Sequence, residues 1–392
     1  LAEQSFLNEY VIFQSEEEVN LKNKLKVKIS EDKEINELEV SVLACYTPLY
    51  KNKKICDKLI KYRSKNNLFN DLIKLQIKEP LTEKIIKTSL KSLEIISDKV
   101  SIKVKDQYEV NPYPRWRYAN NNKTTDFASI LSYDIGPNKI DLKNKFLSPN
   151  ILVAGCGTGA QLQSVAYRKN AKILAFDLSF SSLAYAKRKT EESDFKNIEF
   201  LQGDILNLNK LNKKFDIIEC IGVLHHMRDP LDGLKTLINL IEPNGVLKLG
   251  LYSEIAREQI VKTRQFIEKE KLSNNIQDIR NCREIIKSHK DELIQRIVNR
   301  YDFYSTSSTR DLIFHVQEHR FTIPQISEIL KKFNLEFLGF TNPVIKKKYI
   351  NDFPNDKKCT SLKNWHEFEK KNKEIFIRKM IFCKTIISKF IS

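Results

Sequence analysis

The run Ile151-Leu-Val-Ala-Gly155-Cys-Gly157-Thr-Gly159 constrains this chain more than any other, because an apolar strand pattern meets three glycines at alternate positions. The pattern predicts a buried strand that ends in a tight turn. Residues without a Cβ let the backbone of such a turn lie against a ligand, and a helix expected over Ala160 to Arg168 would aim its amide donors into the same space. A nucleotide-like cofactor fits that geometry. Gly155-Cys-Gly157-Thr-Gly159-Ala160 also satisfies the G-x-G-x-x-[GA] pattern of dinucleotide-binding folds, so the turn alone leaves both readings open.

The next hundred residues separate them. A second strand, Lys172-Ile-Leu-Ala-Phe-Asp177, ends in an acid placed to accept the two ribose hydroxyls of a cofactor lying across the sheet. A third strand from Ile198 leads to another acid, Asp204, suited to the exocyclic amine of adenine, with apolar Ile205 beside it to cover one face of the ring. The fourth strand, from Phe215, runs into Gly222-Val-Leu-His225-His226. NAD folds have no standing use for a second acid after the third strand.

With these motifs in order over about Tyr108 to Gly250, the chain resembles the class I S-adenosylmethionine-dependent methyltransferases. The resemblance implies an α/β, Rossmann-like, doubly wound and mostly parallel seven-stranded sheet, with S-adenosyl-L-methionine as cofactor. It assigns Gly155, Gly157 and Gly159 to the cofactor's methionine portion, Asp177 to the ribose and Asp204 to the adenine. The family usually carries an acid two residues before the first glycine; this chain has Val153.

Length and composition set the surroundings. A chain of 392 residues exceeds what one core usually serves, so a central domain with helical additions is expected. No stretch of eighteen uncharged apolar residues occurs, which argues against a membrane span. The net charge of +17 invites a nucleic-acid reading, but only 15 of the 67 cationic residues are arginine, the residue that phosphate and base readout favour. Lysine runs such as Lys346-Lys-Lys348 read as solvated surface, and nucleic acid is not the favoured partner. The seven cysteines show no C-x-x-C spacing, which fits reduced thiols in a cytoplasm. Leu1 in place of Met reads as a truncated or processed start.

Three domains are expected. Residues 1–107 show helical periodicity (Leu68, Leu72, Leu75, then Ile85, Ile86, Leu90, Leu93), divided at Pro48 and Pro80, with a helix starting at Thr82. Residues 108–120 form a proline-aromatic linker whose Tyr113 and Trp116 are expected to close over the cofactor as a lid. Residues 121–392 hold the methyltransferase domain. Within it Asp229-Pro230 opens a helix, Glu242-Pro-Asn-Gly245 reads as a turn before the fifth strand, and 254–320 form a helical insertion. The final apolar run, Ile375 to Ile387, reads as an antiparallel seventh strand or as a terminal helix.

Methyl transfer from a sulfonium needs alignment of the reacting atoms more than it needs acid–base help, although a protonated acceptor gains from a positioned base. His225 and His226 follow strand four, the edge that faces the cofactor's methyl in this fold. His315 and His319 sit at i, i+4 in Asp311-Leu-Ile-Phe-His-Val-Gln-Glu-His-Arg320, one helical turn apart on the expected helix near Thr309. These four are the catalytic candidates. Tyr304, Asp311 and Arg320 are the candidate substrate residues. No metal is expected, because no third ligand is placed by a motif and the HExxH pattern is absent. The leading reading is methylation of O, N or C on a small or medium-sized acceptor. A protein or RNA methyltransferase whose N-terminal helices hold a macromolecular partner, and a non-enzymatic cofactor-binding scaffold, remain as alternatives.

Overall fold

The computed structural model describes residues 1–118, 123–140, 146–373, 376 and 382–388. The chain divides into two compact units. One comprises Leu1–Ser89, Asn111–Arg117 and Gln259–His315; the other comprises Leu90–Val110, Tyr118–Glu258 and Val316–Ser392. The expected boundary at 107/108 therefore does not coincide with a compact unit. Residues 90–110 join the sheet, and most of the helical insertion joins the N-terminal helices.

In the first unit the N-terminal residues form short helices whose apolar faces meet around Val40, Leu43, Ile55, Leu59, Phe69 and Ile77. Leu72, Leu75 and Ile86 are buried as the periodicity predicts, while Leu68 and Ile85 are exposed. Pro80 does not divide the helix there. Asn67–Ile73, a π turn over Lys74–Lys78 and Glu79–Ser89 run on without a break. The wider π turn just before Pro80 changes the hydrogen-bond ladder where proline cannot donate. The insertion supplies a second core from Ile260, Ile279, Cys282, Ile286, Phe303 and Leu312.

The segment Asn111–Arg117 is bonded within this unit. Glu9 accepts from Arg115 Nε at 3.0 Å and from Asn111 Nδ2 at 3.1 Å, and Arg117 pairs with Glu3.

The second unit is an eight-stranded sheet. Its strands are β1 (Lys91–Ser92), β2 (Asn150–Ala154), β3 (Lys172–Asp177), β4 (Ile198–Gln202), β5 (Phe215–Ile221), β6 (Ile241–Tyr252), β7 (Glu336–Phe340) and β8 (Phe382–Ser388), in spatial order β1-β4-β3-β2-β5-β6-β8-β7. The count of seven is thus corrected to eight, the addition being β1, two residues that pair in parallel with Leu201 and Gln202. β8 runs antiparallel between β6 and β7, so the final apolar run contributes a strand. Glu242-Pro-Asn-Gly245 is not a turn before β6 but part of it, with Asn244 at φ 59°.

Both faces of the sheet are covered, which is why β2, β3 and β5 read as near-continuous apolar runs. Leu152, Ala154, Phe176, Ile218, Leu247 and Leu249 pack on one side with helices that include Pro230–Leu240 and Ile323–Lys332. Ile151, Val153, Ile173, Ala175, Ile217 and Val246 pack on the other with helices Phe127–Ile135 and Phe180–Glu192. Strand order reverses beside β2, which is flanked by β3 and β5, and in open parallel sheets that switch point opens a crevice at the carboxyl ends of the strands. Among the described residues no helix is long and apolar enough to cross a membrane.

Candidate functional site

Three chain segments leave the sheet at that switch point. After β2, Gly155, Gly157 and Gly159 all take positive φ (76°, 53° and 81°), a region L side chains rarely adopt. A Cβ at Gly155 would lie 2.2 Å from Val223 Cγ2, so the loop after β5 sits directly on the turn and only glycine fits beneath it. The helix that follows is shorter than expected: Leu162–Val165, in place of Ala160 to Arg168. The turn's amides are largely engaged within the protein. Gly155 N and Cys156 N both donate to the Phe176 carbonyl (2.7 and 3.0 Å), and Gly157 N donates to Asp177 Oδ2 at 2.8 Å. The turn therefore contributes shape, a cradle for a flat or extended ligand, more than it contributes donors. One buried donor is left over beside it: the Nε2 amide of Gln163, a residue 6% exposed, has no hydrogen-bond partner.

Asp177 ends β3 and is buried. Its second oxygen, Oδ1, accepts from Ser179 N at 2.9 Å. Burial pushes its carboxyl up to about 6, with the nearby Glu109 carboxylate adding to the shift and the two amide bonds opposing it. Glu109, unremarked in the sequence, accepts from Phe180 N at 2.5 Å and from Ser181 Oγ at 2.7 Å at the start of helix Phe180–Glu192. Each Asp177 oxygen keeps acceptor capacity beyond its one amide bond. Asp204 follows β4, is 3% exposed and caps the 3-10 turn after it through Leu206 N (3.0 Å); Ile205 beside it is buried in the core.

The segments after β5 and β6 meet a third, 316–321. His225 and His226 are both buried, their ring centroids 4.2 Å apart, and His225 lies against Tyr252 at 3.8 Å. His226 Nδ1 is 2.7 Å from the Gln317 carbonyl, an acceptor, so Nδ1 donates there. His319 N donates to the His225 carbonyl at 2.7 Å, and its Nε2 lies 3.1 and 3.2 Å from the Met227 and Arg228 carbonyls. Arg257 lies 3.8 Å over the Tyr252 ring and pairs with Glu318, both side chains being 1% exposed. Arg320 pairs with Glu254 at 3.1 Å. An apolar crevice lined by Leu224, Leu234, Leu249, Leu251, Phe321 and Ile326 adjoins this loop.

The other sequence-picked residues belong to the first unit. Tyr113 donates to Asp302 at 3.4 Å, Trp116 lies in the segment bonded to the N-terminal helices, and Tyr304 is half exposed with its hydroxyl on the Val298 carbonyl (2.9 Å). Asp311 is buried on helix Thr306–Ile313, whose N-cap is Ser305 rather than a residue near Thr309. That helix ends before His315, so His315 and His319 do not share a helical face. His315 is buried in the first unit, its carbonyl accepting from Arg264. Tyr252, Arg257 and Glu318 were missed because no local motif marks them.

Residues 149–301 match the family model described as a methyltransferase domain. Among curated proteins, an uncharacterized protein of Synechococcus sp. is 30% identical over 203 residues, covering 50% of this chain and 49% of its own. The mitochondrial ubiquinone biosynthesis O-methyltransferase of Schizosaccharomyces pombe is 27% identical, covering 39% and 56%, and the Coxiella burnetii ubiquinone biosynthesis O-methyltransferase is 31% identical, covering 34% and 54%. The chain spans about half the length of the curated relatives it matches. Among solved structures, PKMT2 from Rickettsia typhi in complex with AdoHcy shares 20% identity at a TM-score of 0.49, covering 71% of this chain and 55% of that one.

Proposed function

We propose that this chain, which carries a class I S-adenosylmethionine-dependent methyltransferase domain, transfers a methyl group to an O, N or C nucleophile of a small or medium-sized acceptor. The observation that carries the reading is Asp177: a buried carboxylate at the end of β3, clamped to the glycine turn through Gly157 N at the sheet's switch point. The geometry fits the group. Asp177 accepts the ribose hydroxyls, Asp204 takes the adenine amine with Ile205 against the ring, and the three positive-φ glycines let the chain approach the rest of the cofactor. S-adenosylmethionine supplies a methyl already activated by the sulfonium charge. The protein's own work is then to hold the acceptor in line, worth up to about 7–11 kcal/mol in favourable cases, and to take its proton where it has one. His226, buried at the end of β5 with Nδ1 on the Gln317 carbonyl, is the histidine offered for that step.

The test is calorimetric titration with S-adenosylmethionine, S-adenosylhomocysteine and NAD, followed by transfer of a labelled methyl group into separated metabolite, protein and RNA fractions. Binding of the first two with NAD excluded, and label in the metabolite fraction, is expected. Binding without label in any fraction would favour a scaffold, and label in protein or RNA would overturn the small-acceptor reading.

A further inference from the structure

We propose that Glu109 is a positioning residue for the ribose contact of Asp177, holding residues 177–181 in place from the helix Lys99–Val110; this rests on the methyltransferase reading above. Asp177 ends β3, and the amides that follow Leu178 are closed one after another. Ser179 N donates to Asp177 Oδ1 at 2.9 Å, Phe180 N and Ser181 N donate to Glu109 Oε1 at 2.5 and 3.3 Å, and Ser182 N donates to Ser179 Oγ at 3.1 Å. The Ser181 hydroxyl donates to the second Glu109 oxygen at 2.7 Å. A helix start is ordinarily capped from within its own turn, as Ser179 does here. Glu109 closes the two remaining amides from 71 residues before Phe180.

The segment that carries Glu109 is fastened at the same strand ends. In β1, Ser92 lies in register with Gln202 and donates its hydroxyl to Gln202 Oε1 at 2.6 Å, and Leu93 N donates to the Gln202 carbonyl at 2.7 Å. Gln202 is the register partner of Asp177 on β4, and its Nε2 donates to the Leu178 carbonyl at 2.9 Å. Residues 90–110 therefore grip the chain after Asp177 twice, at Leu178 through β1 and at Phe180 and Ser181 through Glu109. A neutral side chain could close the same amides. A carboxylate there also opposes the ionisation of Asp177, which is buried and feels its charge. The other neighbours of Asp177 add little charge. Burial keeps the Cys156 thiol well above its ordinary value and neutral, Gln202 is an amide, and Asp204 is turned to Leu206 N. On helix Phe180–Glu192 Arg188 lies over Tyr185 and pairs with Glu192, and on helix Lys99–Val110 Lys105 pairs with Asp106. Glu109 thus sets both where the Asp177 carboxylate is held and how readily it becomes the acceptor that two ribose hydroxyls need.

The test is the binding of S-adenosylhomocysteine to the full chain, followed across pH by calorimetry. Glu109→Gln keeps an acceptor for the two amides and removes the charge. The pH at which affinity rises is expected to move down by about half to one unit, because Asp177 then ionises without an opposing neighbour. Glu109→Ala removes the hold as well. It is expected to weaken binding at neutral pH by about three- to tenfold in the wild-type background and to add no loss where Asp177 is already Asn, since its effect passes through that carboxylate. An unshifted pH profile in Glu109→Gln, or the same loss from Glu109→Ala in both backgrounds, would overturn the assignment and leave Glu109 a helix cap. Should the alanine variant not fold, the pH profile of the glutamine variant decides alone. Failure of the wild type to bind S-adenosylhomocysteine at any pH would instead bring down the methyltransferase reading, and this assignment with it.

Discussion

The glycine turn with its two acids and the histidine loop after β5 lie at the same end of one sheet, yet they are held in place by different means. The turn is fixed by residues close in sequence: three positive-φ glycines, a strand on either side and the Asp177 clamp twenty residues on. The histidine loop is fixed by a segment about ninety residues away. Gln317 and His319 bond the loop's carbonyls and imidazole, Phe321 N donates to the Tyr252 carbonyl at 2.9 Å, and Glu318 buries Arg257. The first arrangement rests on steric exclusion, the second on buried polar pairing. The first should therefore fail through added atoms, and the second through removed partners.

The largest effect is expected from breaking the Arg257–Glu318 pair. Both groups are 1% exposed, so removing one partner leaves a buried charge uncompensated. Glu318→Gln should cost about 3–5 kcal/mol in urea denaturation, whereas Arg257→Met combined with Glu318→Leu should cost far less, because it removes both charges. Cofactor affinity in the single variant, where folded, should stay close to wild type, since the pair lies in the polar arrangement and not in the turn. A loss below about 1 kcal/mol would mean that water reaches the pair and that the contrast drawn here is false.

Next is the turn itself. Gly155→Ala places a methyl 2.2 Å from Val223 Cγ2 at φ 76°, combining overpacking with backbone strain. About 2–4 kcal/mol should be lost, together with most cofactor affinity. Adding Val223→Ala should recover the packing share and leave the strain. If the double variant is no better than the single one, the turn is limited by backbone conformation alone.

The same contrast explains what the sequence made legible. Gly155, Gly157, Gly159, Asp177 and Asp204 could be read because each constraint acts over a few residues and leaves a residue type as its trace. His315 and His319 misled because i, i+4 spacing looks helical, and nothing local announces that the helix stops at Ile313. Pro80 misled for the reverse reason: a helix-breaking residue sits in a helix whose π turn accommodates it. β1 escaped notice because two residues carry no alternation to read, and its pairing with β4 is a tertiary fact. Glu219 was visible as a charge in an apolar strand, but its pairing in register with Lys248 of β6 is a tertiary fact that no single strand encodes.

A smaller effect, and a pH dependence, are expected at Asp177. Burial raises its carboxyl from the ordinary 3.8 to about 6. Between about pH 4 and 6 the folded chain retains a proton that the unfolded chain has released, so this group's contribution to stability falls as pH rises through that window. Ligand binding should run the opposite way, because only the ionised carboxylate accepts both ribose hydroxyls. S-adenosylhomocysteine affinity should therefore rise from pH 5 to 7 and then level off, and Asp177→Asn should remove that dependence at a cost of about 1–3 kcal/mol. A pH profile unchanged by the substitution would assign the ribose contact elsewhere.

The smallest effect concerns His319, and it probes whether the histidine loop is held or merely adjacent. Its Nε2 lies within hydrogen-bond distance of two carbonyls of the loop, Met227 and Arg228, and its main-chain amide holds a third, that of His225. Nε2 also lies 2.9 Å from Gln317 Nε2, so its contact with the loop carbonyls is shared among three partners and contributes about 1 kcal/mol. His319→Ala should accordingly lower stability by about that amount and speed amide exchange at His226 and Met227, whose N–H groups close the short turn over Val223 and Leu224. Cofactor affinity should remain within about twofold. His319→Gln, which keeps an amide donor at similar reach, should restore the exchange protection. If the alanine variant leaves exchange at His226 and Met227 untouched, the loop is carried by the main-chain bond at His225 and the His226–Gln317 bond, and the imidazole of His319 is freed for a chemical role instead of a positioning one.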